Sequence, residues 1–301
     1  MHFKGKRLRK LGYHLPEVAV IGLLLLAYGP LLVHWYDGWL NKTISTEHEY
    51  FSHGVIGLPF AAYLAWEKRR QWQALPPVSH LLGLGLLLLG VVGYLSGLSN
   101  VVNLSLPVVL AGVCLWFKGT AGLRLYAFPW FLVALATPTE LPYLIAPYTL
   151  PLQRFIAGTA GFLLVQFGMD VRVDQIYLYV NERIVEVAPY CAGLKMLFTS
   201  LYVGLMLLYW TGAWCSRSKT ILFIGGIVAT SVSANIVRNT LLTFFHGAGH
   251  EQAFAWLHEG WGGDLYSACM LGILIVLLQG IEHLLSASLE LDPDDRVEPT
   301  C

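Results

Sequence analysis

Three residues of this chain carry chemistry that a protein could put to use: a cysteine with a polar approach, an arginine inside an apolar helix and a histidine in a glycine-rich loop. Cys191 stands in VEVAPYCAGLKMLFTSLY (185–202), where a polar, strand-like segment stops at Pro189 and an apolar helix running to Trp210 begins almost at once. A thiol at or near a helix N-terminus feels the positive end of the helix dipole. This lowers its pKa from about 8.5 and favours the thiolate, which is the nucleophilic form. A lone cysteine beside an apolar helix is about as often a packed structural residue, so both readings stand. Lys195, one turn into the helix, either adds positive potential or snorkels to the interface.

Arg238 lies in the apolar run 220–245 together with Asn235. An arginine at the membrane centre costs at least about 2.5–3.5 kcal/mol on insertion scales, so one that is kept there faces a partner or a wet cavity. Some two turns from the helix end the cost is smaller, and a snorkelling or helix-pairing arginine is the alternative. His258, in AWLHEGWGGD, offers an imidazole whose ordinary pKa of about 6.5 suits general acid–base work at neutral pH. His246, His250 and His258 share one loop, however, and chemistry alone does not choose among them. A His250–His258 metal pair is a weak possibility, because no HExxH word or Cys/His cluster accompanies it. Glu186 reads equally well as solvated or catalytic, His53–Gly54 reads as packing, and Gly260, Gly262 and Gly263 lack phosphate-loop spacing.

The elements that must position these residues are mostly membrane helices. Of 301 residues, 56% are hydrophobic and only 13% charged, against roughly 25% charged in a soluble globule. The chain is therefore read as an all-α polytopic membrane protein. Its formal net charge of zero indicates no nucleic-acid partner. The five cysteines (Cys114, Cys191, Cys215, Cys269, Cys301) show no CxxC pair, so neither a disulfide framework nor a zinc site is indicated. Cys114 and Cys269 read as small core hydrophobes.

In order, a basic N-terminus (1–14) precedes a first span at about 15–36, with Gly29–Pro30 as a tolerated kink. A short apolar helix from FSHG to Trp66 ends in Lys68, Arg69 and Arg70. Helices at 80–98 and 101–117 form a hairpin through a Ser99–Asn100 turn, and a short crossing follows at 125–136. Pro138, Pro142, Pro147 and Pro151 forbid a continuous helix and suit an interfacial layer. The stretch 155–168 is too short to span and reads as interfacial or re-entrant, with Gly158 and Gly161 open to a neighbouring helix. VRVDQIYLYVNERIVEV alternates and reads as a small β-hairpin outside the bilayer. Helices at 191–210, 220–245 and 265–285 complete about eight transmembrane helices with both ends inside. The single membrane domain runs over 15–286, and an acidic tail occupies 287–301. Only Lys42, Arg154, Arg172, Arg183, Lys195 and Arg238 among the basic residues fall outside the inner loops and termini, as the positive-inside rule requires.

From FSHG through ATPTELPY, LQRFIAGTAGFLL, the hairpin, VEVAPYCAGLKML, ANIVRN and LHEGWGGDLY, most of the chain resembles the exosortase/archaeosortase family, with the general character of its cyanobacterial branch. Where the family word is CSG this chain reads Cys191-Ala192-Gly193, which removes a hydroxyl but not the nucleophile. The resemblance implies a membrane cysteine transpeptidase or protease with Cys191, Arg238 and His258 as its catalytic residues and no cofactor or metal. In the topology above, Cys191, Arg238 and His258 all fall on the outer side, which puts the expected site on the extracytoplasmic face of the cell inner membrane. Its partners would be exported proteins with a C-terminal sorting tail and an acceptor nucleophile, a membrane lipid or another group, that resolves the acyl-enzyme. A transporter with Arg238 and the histidines lining a polar path, or an assembly factor for surface polysaccharide export, is the competing expectation.

Overall fold

The computed structural model describes residues 3–40, 50–188, 193–258 and 260–291. They are mostly helical, and five helices are long and apolar enough to cross a bilayer: 19–40, 99–125, 194–211, 217–247 and 261–285. Large apolar side chains face outward on several of them, Leu26 at 79% exposure and Val276 at 68% among them. Such surfaces are stable when the surrounding solvent is lipid. The protein is a multi-pass membrane protein. The described residues form two compact units that divide between Thr139 and Glu140.

The first unit contains α1 (Phe3–Leu40), α2 (Gly54–Glu67), α3 (Arg69–Ala74), α4 (Leu81–Leu95), α5 (Ser99–Leu125) and α6 (Ala127–Ala136). Helix α1 runs unbroken past Pro30. Helices α4 and α5 pack closely because glycines open the way: a Cβ on Gly83 would lie 2.5 Å from the Trp116 nitrogen, and one on Gly90 would lie 2.3 Å from Val109 Cγ2. Their connection is Ser96–Leu98, with Gly97 at φ +70°. Ser99 and Asn100 already belong to α5 instead of forming the turn. Gly119, at φ +60° and ψ −156°, breaks α5 near its end.

Several buried polar groups in this unit are paired internally, as an apolar surround favours. Trp35 Nε1 donates to Asn103 Oδ1 at 2.8 Å, Asn103 Nδ2 donates to the Pro138 carbonyl at 3.1 Å, and Tyr28 and Ser105 hydroxyls meet at 2.9 Å. His53 is buried, with Nε2 donating to the Leu135 carbonyl at 3.2 Å; burial lowers its pKa to about 4. The adjoining Gly54 leaves room for the Trp39 ring.

The second unit contains α7 (Leu141–Ile145), a 3₁₀ turn (Ala146–Thr149), α8 (Leu150–Gln166), three strands, α9 (Leu194–Thr211), α10 (Arg217–Gly247), α11 (Glu251–His258) and α12 (Trp261–Leu291). The prolines do break the chain after Thr139. Helix α8 is 17 residues long, about 25 Å. Its Gly161 receives Val173 of a strand, where a Cβ would lie 2.3 Å from Cγ2, whereas Gly158 meets nothing within 4 Å. Helices α9, α10 and α12 pack through Leu208, Phe223, Ile227, Leu274 and Leu278. Cys114 is buried, but Cys269 is exposed on α12 and is not a core residue; both are free.

The alternating segment is a three-stranded antiparallel sheet, not a two-stranded hairpin: β1 (Val171–Asp174), β2 (Tyr177–Val180) and β3 (Arg183–Glu186), in that order. Val180 pairs with Arg183 across Asn181 (φ +48°) and Glu182 (φ +65°). Positive φ at both central residues is the turn whose twist matches a hairpin. Leu178 of β2 and Val187 are fully buried against Ile156, Ala157, Ala160 and Leu164 of α8. One face of the sheet is thereby fixed, and with it the direction in which β3 leaves.

Candidate active site

Cys191 and its neighbours 189, 190 and 192 lie outside the described residues, so the site is built from the groups that bracket them. On the upstream side, Val187 N donates to the Ile176 carbonyl at 2.9 Å, which carries the β3 pairing on to Val187. Ala188, only 5% exposed, lines a cavity of about 180 Å³ together with Glu186, Asn239, Leu242, His246, Phe254 and His258. On the downstream side, Gly193 caps α9 at φ +80° and lies against α10, where a Cβ would stand 2.6 Å from Asn235 Cγ. Glycine is required there twice over, by the left-handed backbone and by the close approach. Asn235 and Asn239 are one helical turn apart, so both flanks of Cys191 rest on the same turn of α10. Three residues of chain from Ala188 and two from Gly193 reach at most about 10 and 7 Å.

Arg238 belongs to this turn, three residues after Asn235. It is half-buried and does not line the cavity; its charge reaches Tyr266 on α12, whose hydroxyl donates to the Ala234 carbonyl at 2.5 Å. Of the three histidines that share the loop sequence, His246 and His258 line the cavity, whereas His250 is exposed. The His258 ring stacks on Phe254 at 5.1 Å and 9°, and the Phe254 ring also meets His246 at 5.0 Å and 41°. This stack fixes the plane of the His258 imidazole. Among the described residues no group of three His, Cys, Asp or Glu side chains could hold a metal ion.

The sheet fastens the far end of α10 and the start of α11. Asn181 Nδ2 donates to the Gly247 carbonyl at 2.9 Å, and Arg183 donates both to the His246 carbonyl at 2.8 Å and to Glu251. The Arg183 hydrogen bond is the main reason that the Glu251 carboxyl is held below its ordinary value of 4.5. A depressed folded-state pKa adds stability that is complete above the unfolded value and is lost as pH falls through the folded one. Glu251→Gln should therefore lower the melting temperature in detergent at pH 7. The difference from wild type should shrink steadily below about pH 4.5.

Asn239 and Phe254 are site residues that sequence reasoning passed over, and Asn235 was noted without a role. The period of the polar residues could have revealed the asparagines: Ser231, Asn235, Asn239 and Thr243 recur every four residues in an apolar helix, and all are buried. That spacing puts them on one face.

A multi-pass membrane protein with a small three-stranded sheet just before Cys191 and a polar turn on one of its long helices can be placed among known proteins. Residues 35–275, most of the chain, match the family model of the transmembrane exosortases, and the chain belongs to that family. Among curated proteins it is similar over 102 residues, at 36% identity, to the phospho-N-acetylmuramoyl-pentapeptide-transferase of Synechococcus sp. (strain JA-3-3Ab). That match covers 30% of this chain and 28% of the other, so the chain spans less than a third of that relative's length. No solved structure matches.

Proposed function

We propose that this protein is a membrane cysteine transpeptidase or protease. Its substrates are exported proteins that carry a C-terminal sorting tail: a short motif of Pro-Glu-Pro type, a transmembrane helix and a basic end. It works at the extracytoplasmic face of the cell inner membrane, with about eight crossings in which α2, α4 and α6 serve as short spans. The observation that carries this reading is the bracketing of Cys191: Ala188 shares a cavity with His258, and Gly193 lies against the turn of α10 that holds Arg238.

In the reaction, the Cys191 thiolate adds to the carbonyl carbon of the scissile peptide bond. A C–S bond forms and the carbonyl electron pair moves onto oxygen, where Arg238 offers positive charge. Collapse breaks the C–N bond, and the leaving amine takes its proton from His258. The resulting thioester is opened by an acceptor nucleophile, a membrane lipid group or water, whose proton returns to His258. A tail anchored in the bilayer reaches such a site by lateral diffusion.

The test is a reporter with this tail, expressed with or without the protein. A shortened reporter should appear only with the protein and vanish when the motif is scrambled. An unchanged reporter would leave the transporter reading in its place. Within the reaction, Arg238→Gln should lower processing by about 10²–10³-fold. Arg238→Lys should restore only part, because an ammonium is a point charge and not a planar fork. Full activity in both variants would make Arg238 a helix-packing residue.

A further inference from the structure

We infer that the free edge of β3 is a docking strand, which takes an extended segment of the substrate as a fourth strand through the backbone groups of Ile184 and Glu186. The inference rests on the transpeptidase reading, which supplies the peptide, and adds to it how that peptide is held. The sheet order leaves β3 at one edge. Residues that face each other in an antiparallel pair alternate between hydrogen-bonded and non-bonded. Val187 N donates to the Ile176 carbonyl, so Ile176 and Val187 are a bonded pair, and with them Leu178 and Val185, and Val180 and Arg183. The pairs between these, Tyr177 with Glu186 and Tyr179 with Ile184, are the non-bonded ones. The N–H and C=O groups of Ile184 and Glu186 therefore point away from β2, and among the described residues nothing pairs with them there.

An unpaired strand edge is a template for another strand, and this one is the wall of a cavity. Ile184, Val185 and Glu186 all line the space of about 180 Å³ described above. Successive side chains of a strand point to opposite faces, so three residues in a row share one cavity only where it runs along their backbone. β2 occupies the other edge, which places the cavity on the free one. Asn239 and His246 of α10 and Phe254 and His258 of α11 line the same space. The edge is thus neither paired nor sealed by these helices, and a strand laid on it shares the cavity of the proposed acid–base group. A space of this size takes a short extended segment and not a folded partner.

The motif of the proposed substrates suits such an edge. A proline cannot donate to a ladder and is confined to edge strands, with its nitrogen on the side that has no neighbour. In Pro-Glu-Pro only the central residue keeps its N–H, and in an extended chain the residues on either side of it turn their nitrogens the opposite way. With the central residue facing β3, its N–H donates to the Ile184 carbonyl. Its own carbonyl accepts from the N–H of Ile184 in an antiparallel pair, or of Glu186 in a parallel one. Both prolines then face the open side, where an N–H is not needed. Main-chain pairing of this kind supplies affinity, and docking itself makes and breaks no covalent bond.

The experiment uses isotope-labelled full-length protein in nanodiscs and three synthetic peptides without the transmembrane helix: one with the native motif, one N-methylated at its central residue and one scrambled. Amide exchange is followed residue by residue, and the same signals are titrated for Kd. Saturating native peptide should slow exchange at Ile184 and Glu186 by about tenfold or more, and N-methylation should raise Kd by about tenfold or more. Ile184→Pro removes an edge N–H that β2 does not use, so it should weaken binding of the native peptide with the melting temperature held. The inference is overturned if saturating native peptide leaves both amides within about threefold of their free rates, or if the N-methylated peptide binds within about threefold of the native one. Binding of the native peptide no tighter than that of the scrambled one overturns it too, and these peptide arms decide even where Ile184→Pro does not fold. Reporter cleavage by wild type is scored separately. A reporter that is cut while the edge stays unprotected removes the docking strand alone, whereas an edge that is protected with no reporter cut removes the transpeptidase reading and leaves the docking strand standing.

Discussion

Cys191→Ala is expected to abolish processing of a sorting-tail reporter, by about 10⁴-fold or more in rate, and Cys191→Ser is expected to do the same. Removing the nucleophile of a covalent mechanism takes away the whole acyl-enzyme route and leaves only what binding and oxyanion stabilisation achieve alone. Serine is the sharper test. It keeps the size and a polar atom, but a hydroxyl is a far weaker acid than a thiol and is not deprotonated by the end of a helix dipole. Helix α9 begins at Leu194 with Gly193 as its cap, so the positive end lies a little beyond Cys191 instead of on it. Because the dipole effect fades within a turn, the proposed mechanism needs a further positive charge beside the thiolate, the part that it gives to Arg238. The measurement is reporter cleavage at matched membrane abundance, with alkylation of the wild-type thiol followed against pH. If serine retains activity close to wild type, a thiolate mechanism is wrong. If alanine retains it, no covalent mechanism through this residue survives.

The long apolar helices were legible in the sequence because a bilayer core imposes a length on composition: 99–125, 194–211, 217–247 and 261–285 all stand near their expected places. The shorter apolar elements were harder, since a run of 10–17 residues fits a core helix, a short crossing or an interfacial helix equally well. β1 was read as part of a hairpin because its turn, Gln175–Ile176, carries no glycine, asparagine or proline; the chain turns there with Gln175 at φ +60°. The second turn, Asn181–Glu182, opens with a residue that tolerates positive φ and was visible as an interruption.

At the site, residue type singled out the arginine in the helix and the cysteine before it as candidates, but not which of the loop histidines line the cavity: His246 and His258 do, and His250 does not. The place of His258 depends on α11, a helix of eight residues of which it is the last. Its placement rests on Arg183, Glu251 and the sheet, which are far apart in sequence. Hydrogen-bond direction is also invisible in a sequence. The asparagines of α10 could be listed from it, but not the fact that one of them holds the amide of the other.

The second large effect belongs to His258. His258→Gln is expected to slow processing by about 10²–10⁴-fold, the usual contribution of a positioned acid–base group. Glutamine approximates the reach of the imidazole and its hydrogen bonding, but it cannot exchange a proton at neutral pH. A loss in this variant therefore reports proton transfer more than packing. His258→Ala leaves a gap beside Phe254 in a cavity of about 180 Å³ that is already polar on one side through Asn239 and Glu186. Added imidazole should enter it, stack on Phe254 as the native ring does at 5.1 Å, and restore part of the rate in a saturable way. Rescue would show that the missing element is the imidazole itself, in the plane that Phe254 sets. Phe254→Leu should weaken both the native rate and the rescue by removing that plane, while Phe254→Tyr should preserve them. If His258→Gln keeps the wild-type rate and His246→Gln loses it, the proton-transfer role moves to His246, whose ring lies 5.0 Å from the same phenyl ring.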